Sequence, residues 1–226
     1  MSKSIPRIFS MFVSLLAVHV AGAAQLLLNG SFEDPVLPQG KAVIDPTNNA
    51  WTFTHPSGLI SPPGQPNPGG GNYGGYAAPN GAQYAFLQCG ANLRSTISQQ
   101  VTLPTTGQYQ LSFLEAGRPS QSFTLPTGGD VPYSVLLGST VLGTFATTTG
   151  ERFTPRTLNF SANAGTYLFE FAAGITAQPD ETAFIDNVVL APAASTSVPL
   201  PPAVYGLLPA FLFAGIYARR FTRALA

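Results

Sequence analysis

Hydrophobic and polar residues alternate over short stretches of the chain, which is the pattern of β-strands with one buried face. In Gln108–Ala116, for example, Tyr109, Leu111 and Phe113 alternate with glutamine and serine residues. Gly, Pro, Asn and Asp are frequent between these stretches, as expected for turns. The predicted strands are Ala50–Thr54, Gln83–Gln88, Arg94–Val101, Gln108–Ala116, Tyr133–Gly138, Arg156–Ala162, Thr166–Ala173 and Ala183–Leu190.

Eight or more short strands without an amphipathic helix indicate an all-β domain, which we predict to be an antiparallel β-sandwich. We place this domain at residues 25–192. A domain of that length buries roughly 70% of its unfolded surface, so it can fold without a disulfide. The single cysteine of the chain, Cys89, follows a predicted strand and is expected to be buried and unreactive.

Residues 1–24 have the pattern of a cleaved signal peptide. Lys3 and Arg7 precede an apolar run that ends in alanine and glycine residues, which fit the small-residue cleavage rule. We predict cleavage before Gln25, and an uncleaved membrane anchor is the alternative. The protein is therefore expected to be exported.

The C-terminal end combines a linker with a second apolar segment. Residues 193–202 are rich in Pro, Ala and Ser, which predicts a stiff linker without regular structure. Residues 203–226 begin with an uncharged, mostly apolar run and then contain three arginines. We predict a single transmembrane helix there, with the arginines on the cytoplasmic side. A terminal strand is disfavoured because Pro199, Pro201, Pro202 and Pro209 would interrupt its hydrogen bonds.

The order of these segments resembles that of the PEP-CTERM class of exported bacterial proteins. Val-Pro-Leu-Pro at residues 198–201 stands where the class usually has Val-Pro-Glu-Pro, and this form occurs as a family variant. The resemblance implies a Gram-negative cell, an exosortase that processes the tail, and delivery to the cell envelope or an extracellular matrix. The sorting residues that it implies are Val198, Pro199, Pro201, Arg219 and Arg220.

The charge of the predicted domain disfavours nucleic acid as a partner. Only 9% of the residues in the chain are charged. The domain holds all ten acidic residues but only five of the ten basic residues, so its formal net charge is −5. Because those five basic residues are scattered, we expect no positive patch for a polyanion.

Three phrases within the domain resemble the galactose-binding-like jelly roll, a fold shared by carbohydrate-binding modules for xylans and glucans. They are the opening LLLNGSFEDP, the central ISQQVTLPTTGQYQLSF and the closing TAFIDNVVL. Asn29–Glu33 matches the opening motif, and Ile185–Val188 matches the closing strand. The resemblance implies a jelly-roll sandwich that binds polysaccharide.

The same resemblance implies a structural calcium ion between the opening segment and the last strand. Glu33 and Asp186 stand where its carboxylate ligands are expected. Calcium takes about six to eight oxygen ligands, so the others would be mainly backbone carbonyls. The alternative is that Glu33 and Asp186 are turn or edge residues with ordinary hydrogen bonds.

A loop at residues 62–81 contains 7 Gly and 5 Pro in 20 residues. Loops of this length without regular structure are usually functional or disordered. Tyr73 and Tyr76 in this loop, with Trp51 nearby in sequence, could stack on sugar rings, and we predict that they bind a ligand. The alternative is that Trp51 is a core residue and that the two tyrosines are merely exposed.

No catalytic constellation is recognisable in the sequence, and we predict that the protein is not an enzyme. His55 is the only histidine of the domain, and Gly-x-Ser-x-Gly does not occur. Asp180 and Glu181 lie beside a proline, in a turn where we expect both to be solvated. Two hypotheses remain. The domain is a non-catalytic module that binds a neutral polysaccharide, or it is a structural or adhesive surface protein without a specific glycan ligand.

Overall fold

The computed structural model describes residues 24–47, 49–62, 75–119, 127–178 and 180–193. These residues form strands, turns and loops, and they contain no helix. The strands are β1 (Ala42–Ile44), β2 (Thr52–Phe53), β3 (Gly58–Ile60), β4 (Tyr84–Gly90), β5 (Leu93–Arg94), β6 (Thr96–Leu103), β7 (Gly107–Gly117), β8 (Thr127–Gly128), β9 (Pro132–Leu137), β10 (Thr140–Ala146), β11 (Thr154–Ala162), β12 (Gly165–Ala173) and β13 (Asp180–Pro192).

The strands form two sheets. Sheet A has the order β1-β3-β4-β13-β7-β11, with β5 beside β4 and β8 beside β13. Sheet B has the order β10-β9-β12-β6-β2. Within the described ranges every strand pair is antiparallel except β8 with β13. The predicted antiparallel β-sandwich is confirmed.

The core lies between the two sheets and is rich in aromatic residues. Alternation along β7 points Tyr109, Leu111 and Phe113 inward, and all three are buried. Phe113 of sheet A meets Phe145 and Phe171 of sheet B edge-on, with ring centroids 5.5 and 5.2 Å apart. These contacts between aromatic rings bind the sheets together.

Each of the eight predicted strands overlaps a strand of the structure, but five strands were not predicted. Four of these, β1, β3, β5 and β8, have only two or three residues, too few to reveal an alternation. The fifth is β10, whose pairing with β9 shifts register between Val141 and Gly143. A bulge of this kind breaks the period of two, so the sequence pattern does not reveal the strand.

The outer face of sheet A carries a second, smaller apolar cluster. Tyr84, Phe86 and Phe184 are fully buried there, although they point away from the main core. Tyr76 and Phe153 pack against this cluster from loops. The C-terminal end of the Gly-rich loop is thereby attached to the sandwich.

Several predictions concern residues outside the described ranges. These are the signal peptide up to residue 23, the tail from residue 194 onward with its sorting residues, and Tyr73. Among the residues that the structure does describe, no helix has the length and apolar character needed to cross a membrane.

Candidate functional site

A groove of about 320 Å³ lies between three loop segments, residues 37–39, 61–62 and 77–82. Leu37, Pro62 and Ala77 supply apolar carbon surface, and Gln39 supplies an exposed amide. No charged side chain lines this groove. Both described ends of the Gly-rich loop contribute to its walls, so this loop, which the sequence singled out, borders the groove.

One wall of the groove depends on Glu33. Its Oε1 accepts hydrogen bonds from the backbone N–H groups of Ala82 and Gln83, at 2.9 and 3.0 Å. Gly81, which lies beside them, has a φ of +82°, and a Cβ at that position would overlap the Glu33 carboxylate. Glycine is therefore needed at residue 81 both for the backbone conformation and for the close approach of Glu33.

Asp186 holds the same segment from β13. Its Oδ2 accepts a hydrogen bond from the Asn80 N–H at 3.0 Å, and its Oδ1 accepts one from the Asn187 N–H at 2.6 Å. The carboxyl group is fully buried. Burial raises the pKa of Asp186 to about 7, backbone hydrogen bonds partly oppose this rise, and the negative charge of Glu33 adds to it.

Gln83 fixes the opposite wall of the groove. Its buried side-chain amide donates hydrogen bonds to the carbonyls of Phe32 and Pro35, at 2.5 and 2.8 Å. Its Oε1 accepts a hydrogen bond from the N–H of Leu37 at 2.8 Å. One side chain immediately before β4 therefore holds the opening segment that carries Leu37. The sequence offered no signal for this role, because the partners are distant along the chain.

The structure brings together the two residues predicted to bind calcium. Carboxylates suit Ca²⁺, but Glu33 and Asp186 supply only two of the roughly six to eight ligands required. The described residues contain no group of three or more His, Cys, Asp or Glu that could hold a metal ion. Both carboxylates also have backbone N–H partners, as the alternative interpretation expects. The donor set fits calcium in part, and calcium binding stays a prediction.

Tyr76 lies near the groove but does not present a free ring face on both sides. The guanidinium of Arg152 stands 5.3 Å from the centroid of the ring, a cation–π arrangement. Phe153 meets the ring edge-on at 6.4 Å. The Tyr76 hydroxyl donates to the carbonyl of Gly150 at 2.6 Å. The ring is therefore half-buried and already supported by protein contacts.

Trp51 lies in the main core, where it cannot serve as a sugar platform. Only 2% of its surface is exposed, and it packs against Phe32 and Phe169 at 5.2 and 6.0 Å. Its indole N–H donates to the carbonyl of Asn29 at 2.9 Å. The prediction that Trp51 binds a ligand is corrected here. The ring points inward from the residue that precedes β2, and the alternative interpretation, that Trp51 is a core residue, is the correct one.

The expectation that Asp180 and Glu181 are both solvated is also wrong. Both belong to β13, and Glu181 is only 3% exposed because it points into the sandwich. Burial raises the pKa of Glu181. Asp180 is partly exposed and forms a salt bridge with buried Arg118 at 3.0 Å. Neither residue lines the groove.

A buried ionic network crosses the sandwich away from the groove. Glu115 of β7 is fully buried, and its two oxygens contact the Arg156 guanidinium and the Tyr133 hydroxyl. Burial and the charge of Glu115 raise the pKa of Tyr133. None of these three residues lines the groove described above.

A second groove of about 290 Å³ lies at the turns beside β7 and β11. It is lined by Thr106, Gly107, Gln108, Ser161, Ala162 and Asn163. Its side chains are small or polar, and none of the six lining residues is charged. It therefore offers a matched control surface.

The fold and the groove together define the class of protein. It is a two-sheet antiparallel β-sandwich with an open groove between loops, and no charged side chain lines that groove. No family model and no curated protein matches the chain. Among solved structures, the carbohydrate-binding module TmCBM61 in complex with β-1,4-galactotriose is 16% identical. That match covers 74% of this chain and 98% of the module, with a TM-score of 0.49.

Two further solved structures are similar to this chain. The carbohydrate-binding module CBM36 in complex with calcium and xylotriose is 19% identical. The match covers 54% of this chain and 91% of the module, with a TM-score of 0.36. The arabinose-bound α-L-arabinofuranosidase MgGH51 is 18% identical. The match covers 75% of this chain and 26% of the enzyme, with a TM-score of 0.45. The bound sugars and the calcium are properties of those proteins.

Proposed function

We propose that the sandwich is a non-catalytic carbohydrate-binding domain of the jelly-roll type, with the groove beside Glu33 and Gln83 as its site. The observation that carries this proposal is the chemistry of the groove, which combines apolar walls with a few uncharged polar groups. Sugar rings offer apolar C–H faces and neutral hydroxyls, and both features are met by such walls. Binding sites for small ligands have volumes of about 300 Å³ and more, so a groove of this size suits a short stretch of a glycan.

The proposed ligand is a neutral polysaccharide. The groove contains no cationic side chain that would pair with a uronate or a sulfate. Glu33, which lies beside Gly81 of the groove wall but does not line the groove, adds a negative charge nearby. The formal charge of −5 for residues 25–192 opposes an acidic polymer at longer range as well.

The proposal includes export and sorting, for which the sequence alone is the support. A signal peptide would carry the chain out of the cytoplasm. The Val-Pro-Leu-Pro motif, the apolar segment and the terminal arginines would make the tail a substrate for an exosortase. The sandwich would then be tethered to the envelope or released into the matrix, where polysaccharide is abundant.

One observation favours the alternative of an adhesive surface protein. Val141 and Leu168 are exposed by 53% and 50% on strands of sheet B, and Leu136 of β9 pairs with Val141. Such a patch could contact another surface without a glycan. Under this alternative, binding would not depend on the groove.

Two matched substitutions in the full-length protein test the proposal. Ala77 and Asn163 are both exposed, and they line the first and second grooves respectively. We expect the protein to bind neutral oligosaccharides on a glycan array, Ala77→Phe to abolish that binding by filling the groove, and Asn163→Phe to leave it intact. Binding should also change little with salt, because salt mainly screens interactions between charges.

Three outcomes would contradict the proposal. They are the absence of binding to any neutral glycan, the loss of binding in Asn163→Phe but not in Ala77→Phe, and a collapse of binding when salt is raised. Equal melting temperatures for the two variants would show that any difference in binding does not come from unfolding.

A further inference from the structure

Two Asn-Gly pairs occur in the described part of the chain, Asn29-Gly30 and Asn80-Gly81. Asparagine loses its side-chain amide most readily before glycine. The following backbone nitrogen must attack the side-chain carbonyl carbon, and glycine has no side chain to obstruct this approach and little restriction of its backbone. The local sequence therefore makes both pairs equally susceptible, and only the fold can distinguish them.

The fold leaves Asn80 accessible. Both Asn80 and Gly81 are exposed. Among the described residues, the Asn80 side chain has one hydrogen bond, in which its amide donates to Asn187 Oδ1 at 2.8 Å. Within the described residues the Gly81 N–H makes no hydrogen bond, so the nucleophile is not occupied. The side chain can rotate towards Gly81 after breaking a single contact.

The fold restrains Asn29. Its side-chain amide donates to the Asp34 carbonyl at 2.6 Å, and its Oδ1 accepts from the Asp34 N–H at 3.2 Å. Gly30 packs against the backbone of Val188, where even a Cβ would overlap, and its carbonyl accepts the Val188 N–H at 2.8 Å. Rotation of the side chain and movement of the glycine are both opposed.

We propose that Asn80 is a site of spontaneous deamidation in the folded protein and that Asn29 is protected from it. The Gly81 nitrogen loses its proton and bonds to Cγ of Asn80. The Cγ–Nδ2 bond then breaks, and the amide leaves as ammonia with a proton from solvent. Water next adds to either carbonyl of the resulting succinimide and opens the ring, which gives aspartate or isoaspartate. Water is the only co-reactant, and no electron transfer is involved.

The product changes the wall of the groove. An aspartate at residue 80 places a carboxylate against Asn187 Oδ1, where the amide had donated a hydrogen bond. It also adds a negative charge close to Asp186, which accepts the Asn80 N–H. Isoaspartate lengthens the backbone by one carbon before Gly81 and so displaces the N–H groups that Glu33 holds. Deamidation therefore accumulates with time and weakens the hydrogen bonds that hold residues 80–83. This effect does not depend on whether a glycan binds in the groove.

The test uses the full-length protein and its two Asn-Gly pairs as internal controls. The protein is incubated at mildly alkaline pH, sampled over time and digested with trypsin. Trypsin cleaves after Lys41 and after Arg94, so Asn80 and Asn29 are found on different peptides. Mass spectrometry with fragmentation measures conversion of each amide, and an isoaspartyl methylation assay detects the isomer. We expect Asn80 to convert several-fold faster than Asn29 in the folded protein, and the two rates to become equal in urea.

Equal rates in the folded protein, or faster conversion at Asn29, would overturn the proposal. A second measurement tests the consequence. We expect Asn80→Asp to melt at a lower temperature than Asn80→Ser, which removes the same amide without adding charge. Equal melting temperatures for these two variants would contradict the proposed loosening of the segment by charge.

Discussion

Glu33 and Asp186 hold one short segment of chain from two sides. Glu33 Oε1 accepts the N–H groups of Ala82 and Gln83, and Asp186 Oδ2 accepts the N–H of Asn80. The charge of Glu33 contributes to the raised pKa of Asp186. The two carboxylates therefore interact electrostatically, and the geometry of the groove wall depends on both.

The raised pKa of Asp186 predicts a stability that depends on pH. The folded pKa of about 7 exceeds the ordinary value of 3.8, so the folded state binds this proton more tightly than the unfolded state. The stability from that protonation is complete below pH 3.8 and is lost as pH rises through about 7. Each unit of pKa difference corresponds to about 1.4 kcal/mol. With a chelator present, we expect Asp186→Asn to remove this part of the slope in unfolding free energy against pH.

Asp34→Asn is the control for that experiment, because Asp34 is an exposed carboxyl in the same opening segment. The prediction is contradicted if Asp186→Asn and the wild-type protein show parallel curves between pH 4 and pH 7 in urea titrations, the interval set approximately by the two pKa values.

Calcium, if it binds as the family resemblance implies, should stabilise the fold through the same pair. A ligand that binds only the folded state adds about 2.7 kcal/mol at a hundredfold excess over its dissociation constant. We expect added Ca²⁺ to raise the melting temperature, a chelator to lower it, and Glu33→Gln to abolish both effects. Calorimetric scans of the two proteins measure this. If neither Ca²⁺ nor the chelator changes the melting temperature of the wild-type protein, the prediction of a calcium site is wrong.

The network around Glu115 predicts a large loss of stability when one partner is removed. Glu115→Ala leaves Tyr133 without its acceptor, but Arg156 is 33% exposed and stays paired with Glu151 at 3.6 Å, so we expect a loss at the lower end of the about 3–5 kcal/mol typical of a broken buried ion pair. Tyr133→Phe removes one hydrogen bond from Glu115 and should cost about 1–3 kcal/mol. Urea unfolding followed by tryptophan fluorescence gives both values. A Glu115→Ala protein as stable as Tyr133→Phe would show that the network contributes little.

The arginines of the tail are predicted to direct sorting and not folding. Neutral replacements of Arg219, Arg220 and Arg223 should reduce retention in the envelope of a Gram-negative host with an exosortase, because the positive charges oppose translocation of the tail. Cell fractionation measures retention, and an unchanged melting temperature serves as the control for the fold. Full retention of the variant would refute the sorting role.

The sequence by itself determined the class of the fold. In β7 the period of two is a local property, since the strand needs one apolar face for the core whatever its neighbours are. Cys89 was expected to be buried because a free cysteine behaves as a small hydrophobic residue, and the structure confirms its burial. The placement of Glu33 and Asp186 near each other came from the family resemblance and not from the alternation.

Only the tertiary structure decided which side chains meet. Gln83 binds the carbonyls of Phe32 and Pro35, and Glu181 points into the sandwich, because the pairing of β4 and β13 fixes their positions. Trp51 lies in the core next to β2, which pairs with β6 of sheet B, although an exposed tryptophan would have the same sequence neighbours. Such contacts join segments far apart along the chain, and the register between strands, which no local pattern encodes, sets their distances.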